Sequence, residues 1–302
     1  MGRRRHHVVS RGYQRFFAEG EHVLLIDKEP VEGRPRVRRA GTRDVFVRDN
    51  FNSYRRDGVQ VDDIEDEWSR LETMAFPPLR AWIDGNETPT SRNEAKVLAA
   101  LHFARSYGLR TTYGKIAAAE KAKAIINMPT DPGLIAAWNK DRGVDPDPAE
   151  VEALINRFYD SSFGPESHTY IERMAHSHNV AIDKLKDLNV QAVMPLGRRS
   201  QFILSDSPFL YFSADRLRVG ARQIALFEAA HLFLPLAPKL GVFFTSEPEQ
   251  DLLATPQQVQ ELNLLSMRAA FSQVISHPSA DLDHALAATP GTFPTPILRA
   301  KR

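Results

Sequence analysis

The sequence predicts an α+β fold: a mixed or antiparallel sheet built from N- and C-terminal strands, with a central multi-helix layer on one face. Three observations lead there. Short apolar runs with strand character gather near the two ends of the chain, between 22 and 48 and between 190 and 244. The middle carries apolar residues at helical spacing. Strands and helices do not alternate along the chain, which argues against a doubly wound parallel sheet. The organisation that follows is one domain over 1–276: β-rich over 1–56, helical over 58–189, β-rich again over 190–250, then a closing helix over 255–275. A mobile tail is expected over 277–302, where prolines and alanines show little periodicity.

Each element has its local reason. Arg5-His6-His7-Val8-Val9 reads as extended. Ser10 is an N-cap type opening a short helix to Ala18, stopped by Gly20. His22–Asp27 is a strand. Pro30, Gly33 and Pro35 mark a turn, and alternation over Arg36–Arg48, clearest at Val45-Phe46-Val47, predicts two more strands. Ile64, Trp68, Leu71, Ala75 and Leu79 define a helix over 62–82, in which Pro77-Pro78 predicts a kink or break. Ser91 with Glu94 reads as a capping box for a helix running to Tyr107, with Gly108 as its stop. Further helices are expected at 113–126, 131–140, 148–160 and 166–188. Strands follow at 190–194 and 201–204, joined as a hairpin through Gly197-Arg198-Arg199, then at 209–212, 232–236 and 242–244. Thr255 and Pro256 are N-cap and first residue of the last helix, expected to reach Ile275.

Composition narrows the function. The 302 residues are 42% hydrophobic and 25% charged, ordinary for a soluble globular chain. With no cysteine, disulfide scaffolds, thiolate metal sites and cysteine nucleophiles are excluded. No apolar run approaches the roughly 18 residues of a membrane span, and no apolar stretch follows the basic start as in a signal peptide. The expected compartment is the cytoplasm, without a membrane partner. The net charge of +1 conceals an asymmetry: residues 1–56 hold 14 basic against 7 acidic side chains, and the remainder 25 against 31. Arginine supplies 29 of the 39 basic residues, which is either a GC-rich codon bias or a set of forks for phosphate and carboxylate.

Several short motifs carry a resemblance. Arg5-His6-His7-Val8-Val9 is followed by Tyr13, Arg15 and Phe16-Phe17. Phe202-Ile203-Leu204 ends in Ser205-Asp206-Ser207-Pro208, and Leu234-Pro235-Leu236-Ala237-Pro238 comes later. The last helix carries Asn263 and Ala270, and the middle carries Glu65, Glu72 and Leu101–Arg110. Their order and spacing over about residues 5–276 resemble a bacterial family, domain-of-unknown-function family 4238. Its pattern has a histidine pair near the N-terminus, a Ser-Asp-x-Pro turn and a Pro-Leu-Ser-Pro element. Ser10 and Ala237 depart from it, standing where the pattern has proline and serine.

The candidate chemistry centres on His6, His7 and Asp206. Neighbours on a strand face opposite ways, so one imidazole serves as base or ligand while the other bonds the backbone. The histidine pair also opens nuclease motifs of the HNH type, but the required later histidine is missing from the neighbourhood. Asp206 offers a carboxylate at a strand end; the plainer alternative is that Ser205, Asp206 and Pro208 only shape a turn. Arg34, Arg36 and Arg38 alternate, and with Arg3, Arg4 and Arg5 they form a candidate phosphate-facing stripe or a solvated strand edge. Glu72 lies seven residues after Glu65 on nearly one helix face. His168, Glu172 and His176 line one helix face, but the outer two are about 12 Å apart along the axis, too far for one ion. The leading expectation is a nucleic-acid- or phosphodiester-directed protein, with a divalent metal as candidate cofactor for hydrolysis. In it His7, or His6, is base or ligand, Asp206 orients, and Arg5 and Arg15 hold phosphate. The alternative is a non-catalytic interaction module whose motifs are turns and packing elements.

Overall fold

The computed structural model describes residues 5–29, 35–49, 51, 54–56, 59–61, 63–128, 131–144, 147–163, 168–282 and 299–300. Arg3, Arg4 and Arg34 lie outside them. The fold is α+β. The N-terminal part holds β1 (Arg5–His7), α1 (Arg11–Gln14) with a 3-10 turn after it, β2 (His22–Asp27), β3 (Val37–Gly41), β4 (Val47–Asp49), β5 (Tyr54–Arg56) and β6 (Val59–Val61). The helical middle is α2 (Asp63–Ile83), α3 (Ser91–Ala104), α4 (Tyr107–Asn127), α5 (Pro132–Arg142), α6 (Pro148–Phe163) and α7 (His168–Leu185). Then come β7 (Asn189–Pro195), β8 (Leu204–Ser205), β9 (Leu210–Phe212), β10 (His231–Ala237), β11 (Leu240–Thr245), β12 (Leu252–Ala254), α8 (Pro256–Ala269), β13 (Gln273–Ser276) and β14 (Arg299–Ala300).

Two sheets carry the core. A six-stranded sheet runs β14-β12-β7-β11-β10-β9, antiparallel except where β12 lies parallel to β7. A four-stranded sheet runs β3-β2-β13-β8 and mixes N- and C-terminal strands, as the sequence predicts. The segments 190–194 and 242–244, expected in that mixed sheet, belong instead to the six-stranded one. Helices α2 and α3 pack on β10, and α7 packs on α3. One apolar cluster joins Tyr13, Phe17, Leu79, Leu98, Phe202, Phe233, Leu236 and Phe244, so the N-terminal segment is part of the main core.

Several expectations about elements need correction. The closing helix ends at Ala269, and 273–276 is a strand pairing Val274 with Ile26 and Ile275 with Leu25. Cross-strand pairing of β-branched residues outweighs helical continuation there. Gly197 does not close a hairpin: β7 pairs with β11 and β12. The segment after it runs beside α8, where Asn263 accepts from Ile203 N at 3.1 Å and donates to Gln201 O at 2.9 Å. Pro77-Pro78 lie inside a continuous α2, whose Ala75, Leu79 and Trp82 are buried in the core. Packing of that face offsets the backbone bonds the prolines forgo. Ser91 is the first residue of α3 rather than its cap, and its hydroxyl donates to Pro78 O at 3.0 Å. Gly108 sits within α4, whose cap is Ser106. By contrast, Thr255 and Gln258 form a reciprocal capping box with Pro256 at the helix start. Arg299–Ala300 pairs with β12, where the sequence predicts no regular structure.

Candidate functional site

The histidine pair sits on β1, whose register with β4 places His6 opposite Arg48 and His7 opposite Val47. Strand alternation divides them: His6 is buried, His7 half-buried. The chain then turns through Ser10, which caps α1 by accepting from Tyr13 N at 3.3 Å. The strands meet over an unusual backbone, for Phe46 is a buried non-glycine residue at φ 55°. Its neighbour Val45 presents a carbonyl that accepts from Gln14 Nε2 at 3.2 Å and lies 3.2 Å from His7 Nδ1. Gln14 Nε2, which can only donate, lies 3.2 Å from the same His7 Nδ1, so this ring nitrogen stands between a carbonyl acceptor and an amide donor. Burial lowers the His7 pKa below its ordinary value, and the Arg105 charge adds to that against the Val45 bond.

Beneath this strand lies a polar network from α2 and α3. Arg105, only 2% exposed, donates to Glu72 at 2.7 Å, to Glu65 at 3.5 Å and to the His7 carbonyl, and lies 5.0 Å from the Trp68 ring. Burial raises the Glu72 pKa; Arg105 and a bond from the Ser10 hydroxyl act against the rise. Ser10, in place of the proline of the resembled pattern, thus ties α1 to α2. His102 is fully buried, 4.9 Å from the Tyr13 ring, and neither of its nitrogens has a hydrogen-bond partner among the described residues. Burial, and secondarily Arg105, hold its pKa well below the ordinary value. The Tyr13 hydroxyl donates to Pro235 O, in the irregular stretch where β10 shifts register between Pro235 and Ala237. Proline is tolerated at such a bulge because no ladder bond needs its missing N–H.

Asp206 is held elsewhere. Its carboxylate accepts from Phe271 N and Ser272 N, both at 2.7 Å, from Ser272 Oγ at 2.9 Å and from Gln273 N at 3.1 Å. It therefore closes the turn from α8 into β13. Among the described residues no hydrogen bond or ion pair joins it to His7; Arg48, opposite His6, donates to Ser272 Oγ at 2.7 Å. Ser205 Oγ accepts from Ser207 N at 3.2 Å just before Pro208, shaping the local turn. Asn263 pins the 201–203 segment.

The described arginines of the stripe, and Arg15, have acidic or carbonyl partners. Arg5 pairs with Asp44 at 3.2 Å and Arg15 with Glu21 at 2.8 Å, both at exposed positions. Arg36 donates to Asp27 O at 3.3 Å, and Arg38 pairs with the buried Asp27 carboxylate. Of the helical acid–histidine face, Glu172 and His176 are exposed on α7, and the His168 side chain lies outside the described set.

A further concavity is lined by none of these residues. A cleft of about 490 Å³ opens between the β10–β11 face and α8, bounded by the turn 214–216. Residues Gln258, Glu261, Leu262 and Leu265 of α8 line it, one helical face at i, i+3, i+4 and i+7. Arg216 and Glu261 pair within it at 3.2 Å, their side chains 9% and 8% exposed. Among the described residues, Arg216 alone reaches the Glu261 carboxylate, through Oε2. Arg216 adopts φ 60°, and the turn is fixed by Ser213 O, which accepts its N–H at 2.9 Å, and by Arg268, which donates to Arg216 O at 3.0 Å. A non-glycine residue held in the left-handed region is a common mark of functional positions. Half-buried His231, 5.0 Å from the Phe212 ring, completes the polar wall, its pKa lowered first by burial and then by Arg216. Burial raises the Glu261 pKa, against the Arg216 charge. Sequence reasoning missed this cleft. Its one legible signal is Glu261, an acid on the otherwise apolar stripe of Val259, Leu262, Leu265 and Ala269.

Compared with known proteins, the chain matches the family described as "Protein of unknown function (DUF4238)" over residues 5–280 and belongs to that family. No curated protein and no solved structure matches it.

Proposed function

We propose that this family member is a non-catalytic binding module whose ligand site is the cleft between β10, β11 and α8. The observation that carries this reading is the buried Arg216–Glu261 pair inside a concavity of about 490 Å³. A buried polar pair set beside apolar side chains such as Phe243, Leu262 and Leu265 fixes a ligand's orientation. The roles of Asp206 and of the arginines support the same reading, since their polar atoms are engaged in closing turns and pairing within the chain. Among the described residues, no three histidine or acidic side chains stand close enough to hold a metal ion. The test is ligand-observed NMR with a fragment set, run on the protein and on Thr245→Trp, which fills the cleft from its β11 rim. Fragments whose signals broaden with the protein and recover with the variant are the expected result. Fragments that bind both alike, or none that bind, would overturn the proposal.

A second reading, phosphodiester hydrolysis, is favoured by one observation. His7 is a desolvated imidazole held at Nδ1 between the Val45 carbonyl and the Gln14 amide, a ring of the type that moves protons in hydrolysis. It predicts that His7→Gln removes hydrolysis of a model phosphodiester supplied with a divalent ion; absence of hydrolysis by the unaltered protein counts against it.

A further inference from the structure

We infer that the cleft takes a neutral planar heterocycle with two adjacent N–H donors beside a carbonyl acceptor, the edge that guanine presents. The inference rests on the cleft being the binding site.

Charge argues first. Arg216 and Glu261 pair on a buried floor, while Asp215, the other acid lining the cleft, stands at its exposed rim with its carboxylate accepting from Ser213 Oγ and Leu217 N. An ionic ligand would bring an unbalanced charge into a low-dielectric space, whereas a neutral one leaves the pair balanced. Hydrogen-bonding chemistry argues second. A guanidinium only donates and a carboxylate only accepts. Side by side, they complement an edge whose N–H groups meet Glu261 and whose carbonyl meets Arg216. Glu261 reaches Arg216 through Oε2, and its Oε1 remains for the ligand. An adenine edge sets a ring-nitrogen acceptor against the carboxylate and is disfavoured, because a buried polar group left unmatched discriminates strongly. Shape argues third. Phe212 and Phe243 line the cleft on the sheet face of His231, whose ring lies at 30° to that of Phe212; the Phe244 ring, one residue on, packs on Phe209 at the opposite face. Flat aromatic walls favour a flat ligand. The volume exceeds that of a base alone and leaves room for a sugar. The same base comes from two sources, a free nucleoside or a single-stranded nucleic acid.

The experiment titrates guanosine, adenosine and a guanine-containing single-stranded oligonucleotide by calorimetry. It uses the full chain, Glu261→Gln, Arg216→Lys and Thr245→Trp, each checked for a native melting transition. Guanosine should bind the full chain at least about tenfold more tightly than adenosine. Glu261→Gln should lose about tenfold or more, because the amide turns one acceptor oxygen into a donor and removes the charge that strengthens the bond to the ligand's N–H groups, and Arg216→Lys should weaken binding through loss of the fork. An oligonucleotide that binds more tightly than guanosine, with salt-sensitive affinity, names the strand as the source; one that binds no better names the nucleoside. Equal affinities for guanosine and adenosine, or no loss in folded Glu261→Gln, would overturn the guanine assignment. The cleft itself fails only when no fragment loses binding in Thr245→Trp, so the two failures are distinguishable.

Discussion

His102 illustrates how burial overrides a side chain's ordinary chemistry. Its imidazole stacks on Tyr13 in the core, with Arg105 as the nearby charge, and both effects disfavour the protonated ring. The unfolded chain protonates this histidine below about pH 6.5. The folded chain does not until far lower pH, so the stability contributed by His102 is fully present above that value. It is lost progressively as pH falls, with a slope of about 1.4 kcal/mol per pH unit for one proton. His7, His178 and His231 act in the same direction, all three lowered first by burial. His102→Phe keeps the ring packing and removes two unpartnered nitrogens. Denaturant melts should show it gaining on the natural chain between pH 6.5 and pH 5 and keeping at least parity at pH 8. A constant difference at both pH values would refute the assignment. The sequence shows a histidine at 102 on a helix; it does not show that the helix turns that residue into the core against Tyr13.

At the scale of elements, the turn from α8 to β13 depends on one carboxylate. Asp206 gathers three backbone N–H groups and a hydroxyl from residues 271–273, and Lys28 and Arg222 donate to Ala270 O at 2.8 and 3.1 Å at the end of α8. Cations at a helix C-terminus and an anion at a nest of amides both follow the local dipoles. Asp206→Ala should destabilise the fold by about 3 kcal/mol or more, since each buried donor left unpaired costs roughly 1 kcal/mol or more. Paired with His7→Ala, its effect should be additive within about 0.5 kcal/mol, because the two side chains share no partner. A large coupling energy in chemical denaturation would reinstate a shared site. That Asp206 shapes a turn was legible from Ser-Asp-x-Pro. That the turn belongs to a segment 65 residues later was not, because a side chain caps whatever backbone the fold delivers to it.

The whole molecule is held by long-range pairings between its two ends. Val9, Tyr13 and Phe17 are fully buried, Tyr13 reaches Pro235 O, and β2 pairs with β13. Removing residues 1–17 strips these side chains from the main core and should abolish the cooperative thermal transition in calorimetry. Tyr13→Phe, which deletes only the hydroxyl, should cost about 1 kcal/mol and preserve the transition. An undiminished melt after the truncation would mean that the N-terminal segment folds apart from the rest.

The sequence by itself determined the α+β class, a central block of helices between two strand-bearing parts of the chain, and the Thr255 cap. These follow from local periodicity and from the chemistry of helix ends, which each segment carries within itself. It also marked His6, His7, Glu72, Asp206 and Asn263 as positions of interest. Only the tertiary structure decided what they do: Glu72 meets Arg105, Asp206 meets the 271–273 amides, and Asn263 meets the 201–203 backbone. It alone made β13 a strand, since the pairing partner that stabilises it lies some 250 residues earlier in β2. It alone brought Arg216 to Glu261 across 45 residues, through a backbone conformation that no arginine adopts without support from its surroundings. Partner identity in a folded chain is fixed by the burial of the whole core, and that is information no single segment holds.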